Sequence, residues 1–520
     1  MRLYIAEKPS MGLEIAKCLP GPMRRGEGFI ETAGGTVTWG FGHLLRQAEP
    51  QEYDEKYKKW RAEDLPIVPQ EWKLIVEASA KKQFGIVKDL IARADEIVHA
   101  GDPDREGQLL IDEILDYVGN TKPVRRILLN ALDEKSIREA NDHLRDNRDF
   151  APLKESALAR ARADWLIGMN LSRAYTLAAR RAGHDMTLPV GRVKTPTLAL
   201  VVRREREIKD FHATLYYTIK AEFVHANGRF TAVWKPGEEQ AGLDAEGRLV
   251  DKAEAEAKLA AFNEMDGEGR IETYAKARKE EPPRLPFSLS SLQVLAGRRF
   301  GYEPQQVLDT AQALYEKKLT SYPRSDCEYL PKNQLASAVT ILKNLADGEE
   351  KELAAWAVGT DEKLRSRAWD DKKITAHHAI IPTTVKVNPA TLTPMQRDIY
   401  FLIAQAYLAQ FYPAHVYDQT KVGVRYGGER FTASGRTVRD MGWKALYAGK
   451  NADKEEPPES DDTAALPAMK KGDSVRYAEG KLAEKQTKPP SRFTPATLLA
   501  AMKEYAESKG LTVRAATVST

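Results

Sequence analysis

Short apolar runs at Leu3–Ala6 and Glu96–Ala100 (EIVHA) each lead into acidic residues and then into helical spacing of apolar positions, as in Gln108–Val118. This strand, loop and helix rhythm predicts a parallel α/β sheet over residues 1–150, with ligands gathering at the carboxyl ends of its strands. From Lys154 to Arg181 the pattern predicts one long helix, with Leu158, Leu166, Met169 and Leu177 as apolar positions and Ala filling many others. Arg160, Arg162, Arg173, Arg180 and Arg181 crowd that helix. At Tyr216 the period shortens to that of β-strands. Tyr217–Val224 and Phe230–Trp234 flank Ala226-Asn227-Gly228-Arg229, a strong hairpin signal, and Thr420–Tyr426 and Arg430–Ala433 flank Gly427-Gly428 in the same way. Both return strands carry Phe-Thr-Ala, at Phe230-Thr231-Ala232 and Phe431-Thr432-Ala433. The two hairpins are therefore read as parts of one β domain, 215–280 and 395–469, interrupted by a helical domain over 281–394. Residues 151–214 form a further helical domain, completed by about 470–520. The acidic stretch Asp453–Asp462 reads as a solvated loop.

With 520 residues the chain is too long for one core, which agrees with several domains. No run of about eighteen apolar residues occurs, and the first apolar run is closed at once by Glu7-Lys8. Neither a membrane span nor a signal peptide is expected, which points to the cytoplasm. Two isolated cysteines, Cys18 and Cys327, make neither a disulfide framework nor a zinc ribbon, so any metal is expected on oxygen ligands. A formal net charge of +4 from 79 Lys and Arg against 75 Asp and Glu is weakly basic, so nucleic-acid binding needs a local groove.

Four constellations carry chemistry. Asp102-Pro103-Asp104-Arg105-Glu106-Gly107 follows the strand Glu96–Ala100. Its carboxylates at alternate positions are the hard oxygen ligands that Mg²⁺ favours, although such a turn alone is equally an exposed loop or a helix N-terminus. Glu7, at the end of a second strand, would join Asp102 and Asp104 in a like-charge cluster that calls for a cation, with Lys8 able to neutralise phosphate. In Thr320-Ser321-Tyr322-Pro323-Arg324-Ser325-Asp326 an extended backbone would point Tyr322 and Arg324 the same way, so that Arg324 binds the phosphate that Tyr322 attacks and favours the phenolate. A buried core tyrosine is the alternative. His377-His378 suits a phosphate hydrogen bond better than a metal, and a structural pair stays open. Trp165, Arg173 and Arg180, eight and seven residues apart, lie near one helix face as an aromatic and basic stripe for single-stranded nucleic acid, unless Trp165 is tucked into the core. Trp60 among Lys58, Lys59 and Arg61, and the loop Gly191-Arg192-Val193-Lys194-Thr195-Pro196, invite the same reading.

The chain resembles the type IA DNA topoisomerases, and within them the bacterial topoisomerase III group. The resemblance rests on Glu7-Lys8-Pro9-Ser10, Gly42-His43-Leu44-Leu45, Asp102–Gly107, Ala159–Gly168, Gly191–Pro196, Pro286-Phe287-Ser288, Tyr322–Asp326 and Ala376–Pro382, in family order over nearly the whole chain. It implies an N-terminal Toprim domain and an arch of split β and helical domains closing a toroid. By motif position it implies Tyr322 as nucleophile, Arg324, Lys8 and His377 as phosphate contacts, and Glu7 as the acid nearest the scissile bond. Asp102 and Asp104, with Glu7 and Glu106, would hold magnesium. Trp165, Arg173, Arg180 and the Pro189-Val190-Gly191-Arg192-Val193-Lys194 loop fall where the family grips the strand, and Trp60, Arg160 and Arg324 are counted with them as expected DNA contacts. There are two departures: Lys194 stands where glutamine is usual, and a Gly-rich segment expected after Thr494-Pro495 is missing before Thr520. The second implies an incomplete strand-gripping domain.

The implied chemistry is transesterification through a 5′-phosphotyrosine with a free 3′ hydroxyl, which conserves bond energy and needs no ATP. Consistently, there is no GxxxxGK[ST] loop. The expected setting is a monomer on a single-stranded region of nucleoid or plasmid DNA, with Mg²⁺, without zinc and without a membrane. A Toprim nuclease or a strand-binding relative that cannot turn over remain as alternatives.

Overall fold

The computed structural model describes residues 1–374, 377–448 and 465–508. The first domain is built on a seven-stranded sheet in the order 24–26, 29–32, 35–39, 2–6, 96–100, 124–126, 145–146. Its centre is parallel and its flanks pair antiparallel, so the sheet is mixed rather than wholly parallel. Leu3, Ile5, Ile97 and Val98 are fully buried on its two faces, as expected where helices cover both sides. The helix Pro9–Cys18 starts with proline in its first turn, where no donor is needed. The helix Arg105–Tyr117 is capped by Asp104, whose carboxylate accepts the N–H of Gly107 at 2.7 Å.

The predicted long helix spans Ala151–Arg181, followed by a second over Lys194–Lys209. The C-terminal helix Pro495–Ser508 returns to this pair: Arg204 stacks on Phe493 at 4.0 Å and Arg492 pairs with Glu205 at 2.8 Å.

The two hairpins lie in one closed barrel, in the order 215–225, 228–235, 429–440, 415–426, 268–281, 474–486. Alternate residues Tyr217, Ile219, Ala221 and Phe223 fill it. Gly427 and Gly428, both at positive φ, make the tight turn between its second pair of strands. Two boundaries differ from expectation. The strand Ser474–Gln486 closes the barrel beyond residue 469, because it pairs with both Leu215–Val224 and Glu268–Arg270. The helix Pro394–Leu408 belongs to the helical domain rather than to the barrel, because Ile399, Leu402, Ile403 and Tyr407 share one core with Leu292, Val307 and Ile341. The acidic stretch Asp453–Asp462 lies outside the described residues, as does the chain from 509 to 520.

The helical domain returns to the first domain. Tyr315 donates to the Leu129 carbonyl at 3.3 Å, the Tyr322 N–H donates to Asn130 O at 3.0 Å, and Lys318 pairs with Glu14. Its helix Leu289–Phe300 packs on Pro495–Ser508, where Ala496 stands close to Gly297. The helical domain thus touches both the first domain, at Tyr315, Lys318 and Tyr322, and the C-terminal helix.

Candidate active site

The strands Arg2–Ala6 and Glu96–Ala100 are parallel neighbours with Ala6 opposite Ala100, so Glu7 and Asp102 leave adjacent strand ends. The Asp102 N–H donates to Glu7 Oε2 at 3.0 Å, and both side chains are buried. Lys8 Nζ stands 3.9 Å from Glu7 and 4.0 Å from Asp102. Neither carboxylate oxygen of Asp102 has a hydrogen-bond partner. Burial, and next the Glu7 carboxylate, push its pKa well above the ordinary carboxylate range. A buried acid with two orphaned oxygens beside a second acid is the donor set a hard cation completes.

Two of the expected metal ligands are engaged elsewhere. Asp104 accepts the Tyr322 hydroxyl at 2.9 Å through Oδ2 while Oδ1 caps the helix. Glu106 is turned to Arg160 at 2.9 Å and Arg105 at 3.7 Å. Glu106 lines the same cleft as Glu7 and Asp104, but here its carboxylate is taken up by Arg160. Among the described residues no three His, Cys, Asp or Glu side chains converge tightly enough to hold an ion as they stand. Asp102 and Glu7 fit the group, and Asp104 can join them once it releases Tyr322.

Tyr322 sits between a bend at Ser321 and a turn at Pro323-Arg324 rather than on the expected extended backbone, and the segment is stitched to the stretch after the histidines: Ser321 N–H donates to Ile381 O at 2.9 Å and Ser321 Oγ to Ala379 O at 3.1 Å. Its ring lies against Tyr315 at 5.6 Å and His377 at 4.7 Å, and only 1% of the residue is exposed. Arg324 favours the phenolate as expected but is outweighed in this closed state. Burial, then Asp102, Asp104 and Glu7, raise the phenol well above its ordinary pKa and outweigh Arg324. Arg324 faces the same cleft with its Nε unpartnered. His377 Nδ1 meets Asn130 Oδ1 at 3.3 Å while its buried Nε2 has no partner. Burial lowers its pKa to about 4, so it is a neutral imidazole here. His378 instead bonds the Ala379 carbonyl at 2.7 Å, a structural role. Ala376, the first residue of that motif, is outside the described residues.

The expected strand-binding stripe is not an exposed surface. Trp165 donates Nε1–H to Ala48 O at 3.0 Å and packs edge-on against Tyr53 and Trp72. Arg173 is 3% exposed, donates to Tyr57 O at 2.8 Å and stacks on Trp60 at 5.2 Å. This helix face is the seam against residues 48–73, and helical spacing alone could not tell which face packs. Arg180 remains exposed, 3.6 Å from Asp185. The loop Pro189–Val193 is tied down by Val190 N–H to Ser172 Oγ at 2.8 Å and by Gly191 N–H to Thr195 Oγ1 at 3.2 Å. Arg192 pairs with Asp164 at 3.0 Å, Asp164 lies 3.8 Å from Arg160, and Arg160 holds Glu106, so charges run from this loop to the acidic turn. Lys194 is exposed where the next helix begins.

Sequence reasoning missed two supports. Asn130 holds Tyr322 through its carbonyl and His377 through its side chain. Arg126 is 1% exposed and donates to Gln108 Oε1 and to the carbonyls of His99, Gly101, Ile127 and Asp102 at 2.7–3.2 Å. Burial brings its pKa down to about 10. A cation inside the apolar run Arg126-Ile127-Leu128-Leu129 was the available signal. Arg126→Met should destabilise the first domain by about 3–5 kcal/mol, because the acidic turn loses its donors; a denaturant titration within about 1 kcal/mol of wild type would contradict this role.

Residues 149–518 match the DNA topoisomerase family and residues 2–132 the Toprim domain. The chain is 46% identical to DNA topoisomerase 3 of Salmonella typhimurium, over 96% of this chain and 77% of that protein. It is 36% identical to DNA topoisomerase 3 of Bacillus subtilis, over 98% and 68%. Full-length topoisomerase I of Thermotoga maritima shares the fold, with a TM-score of 0.68 at 22% identity over 96% of this chain and 75% of that one.

Proposed function

The chain belongs to the type IA DNA topoisomerases, and from that premise we propose that Tyr322 cuts a single-stranded stretch of DNA, holds its 5′ phosphate covalently while a strand passes, and reseals it without ATP. The observation that carries this reading is the hydrogen bond from the Tyr322 hydroxyl to Asp104 at 2.9 Å, which joins a tyrosine of the helical domain to the acidic turn of the Toprim domain.

In the cutting step Tyr322 Oη forms a bond to phosphorus and the bond from phosphorus to the 3′ oxygen breaks. The phenolic proton leaves by way of Asp104 Oδ2, its hydrogen-bond partner, to solvent, and the leaving 3′ oxygen takes up a proton from solvent. With the phenol held neutral, attack and proton loss are concerted; Arg324 and Lys8 line the cleft that takes the phosphate, and His377, its Nε2 unpartnered, lies against the Tyr322 ring. Magnesium would be held by Asp102 with Glu7 and, after Tyr322 turns to the phosphate, Asp104. When bound it supplies neutralisation of the clustered acids and of the strand. Because Tyr322 is closed over by both domains, a strand enters only when the contacts of Tyr315, Lys318 and Tyr322 to residues 14 and 129–130 part.

No helix among the described residues is long and apolar enough to cross a membrane. Residues 509–520, in which the expected Gly-rich motif is missing from the sequence, lie outside the described residues. The test is relaxation of negatively supercoiled plasmid with magnesium and no nucleotide. The expected product is a ladder of closed circles differing in linking number; nicked or linear DNA alone would indicate a nuclease instead.

A further inference from the structure

We infer that the turn Gly40–His43 is a nucleotide-binding element of the cleavage cleft, in which the Phe41 ring stacks on a base of the single strand and His43 holds the neighbouring phosphate. The inference rests on the strand-cleavage reading above and adds a subsite to it.

The turn leaves the strand Gly35–Trp39 and is clipped to the end of the strand that carries Glu7. Gly40 N–H donates to Ala6 O at 2.9 Å and Gly42 N–H to Glu7 O at 3.3 Å. Gly42 has φ +82 with open space around it, and a Cβ on Gly40 would stand 2.8 Å from Gly42 O, so both positions need glycine to hold this tight loop. Phe41 and His43 are therefore fixed in place relative to Glu7.

Phe41 is 62% exposed, more than any other large aromatic side chain among the described residues. A single exposed apolar side chain is ordinary on a surface. This one lines a cleft of about 560 Å³ together with Glu7, Lys8, Asp104 and Arg324, where the bases next to the scissile phosphate must lie. A flat apolar ring there offers what an unpaired base seeks, with no demand on its identity.

His43 supplies the complementary charge. Its Nδ1 bonds Glu113 Oε1 at 2.7 Å, and Glu113 is buried on the helix Arg105–Tyr117. Its Nε2 has no hydrogen-bond partner among the described residues, and the side chain is 46% exposed to the cleft. The cleft lining carries the carboxylates of Glu7, Asp104, Glu106 and Glu316 against only two other cations, Lys8 and Arg324. An anionic strand needs a further positive group on this wall. Burial opposes the charged imidazole, but the Glu113 hydrogen bond and the Glu113, Glu106 and Glu7 charges carry its pKa above the ordinary value.

The test uses the full chain with Tyr322→Phe, to stop cleavage, and a short oligonucleotide carrying 2-aminopurine at each position in turn. One position should be quenched on binding. Phe41→Ala should remove that quenching and weaken binding about tenfold, while Phe41→Trp should restore both. His43→Ala should lower the salt slope of binding by about 0.7, and His43→Lys should return it. Equal affinity and unchanged quenching in Phe41→Ala, or an unchanged salt slope in His43→Ala, would overturn the subsite. Adduct formation by the protein with Tyr322 intact is measured in parallel: an adduct with no effect of Phe41 or His43 sinks the subsite alone, whereas no adduct sinks the cleavage reading beneath it.

Discussion

Tyr322→Phe should abolish the covalent protein–DNA adduct and all relaxation while leaving single-strand affinity within about twofold, because only the attacking oxygen is removed. The phenyl ring keeps its places beside Tyr315 and His377. Asp104 keeps its cap on the helix through Gly107. The lost hydroxyl bond to the Asp104 carboxylate costs about 1.5–3 kcal/mol, which the two packed domains can bear, so the fold persists. Arg324→Ala belongs to the same experiment. It should still bind strands but cut slowly, since Arg324 faces the cleft with an unpartnered Nε rather than supporting the core. Residual adduct in the Phe variant, or wild-type cutting in Arg324→Ala, would remove these residues from the chemistry.

The second large effect is expected at the acidic turn. Asp102→Asn with Asp104→Asn should lower turnover about 100-fold or more and flatten its magnesium dependence. Asparagine is chosen at 104 because it still caps the helix, so lost activity is not lost structure. Binding gives an independent readout. Magnesium should raise the Tm of the wild-type protein by mass action and leave the double variant unmoved. Without magnesium, Asp102→Asn alone should stabilise the protein, because the folded state holds the Asp102 carboxyl buried, unpartnered and beside Glu7. A double variant that relaxes plasmid at the wild-type rate across a magnesium titration would place the ligands elsewhere.

What was legible in the sequence was what short motifs carry. Glu7, Asp102 and Asp104 each follow an apolar run whose end fixes them in space, so two strands sufficed to bring them together. Tyr322 and Arg324 lie two residues apart and both face the acidic turn, although a turn at Pro323-Arg324 rather than an extended backbone brings them there. Three things were not legible. The stripe of Trp165 and Arg173 had the right spacing but the wrong environment, because periodicity defines a face and not what lies against it. The strand Ser474–Gln486 offers only Val475, Tyr477 and Leu482 as large apolar positions and is mostly exposed, so its membership in the barrel comes from pairing at a distance in sequence. The protonation of Tyr322 depends on burial by a second domain, which no local pattern encodes. Asn130 and Arg126 act largely on backbone carbonyls and neighbouring side chains, contacts that leave no motif behind.

The central claim is that Tyr322 becomes joined to the 5′ end of a cut strand, and peptide mapping of the trapped adduct tests it most directly. The protein is mixed with a single-stranded oligonucleotide and magnesium, stopped with denaturant, and digested with nuclease and trypsin. Cleavage after Lys318 and Arg324 releases the peptide Leu319–Arg324, in which Tyr322 is the tyrosine. The account predicts a nucleotide 5′-phosphate on that tyrosine, with a free 3′ hydroxyl on the other DNA fragment. A modified residue in any other peptide, or cut strands with no protein attached, would contradict it.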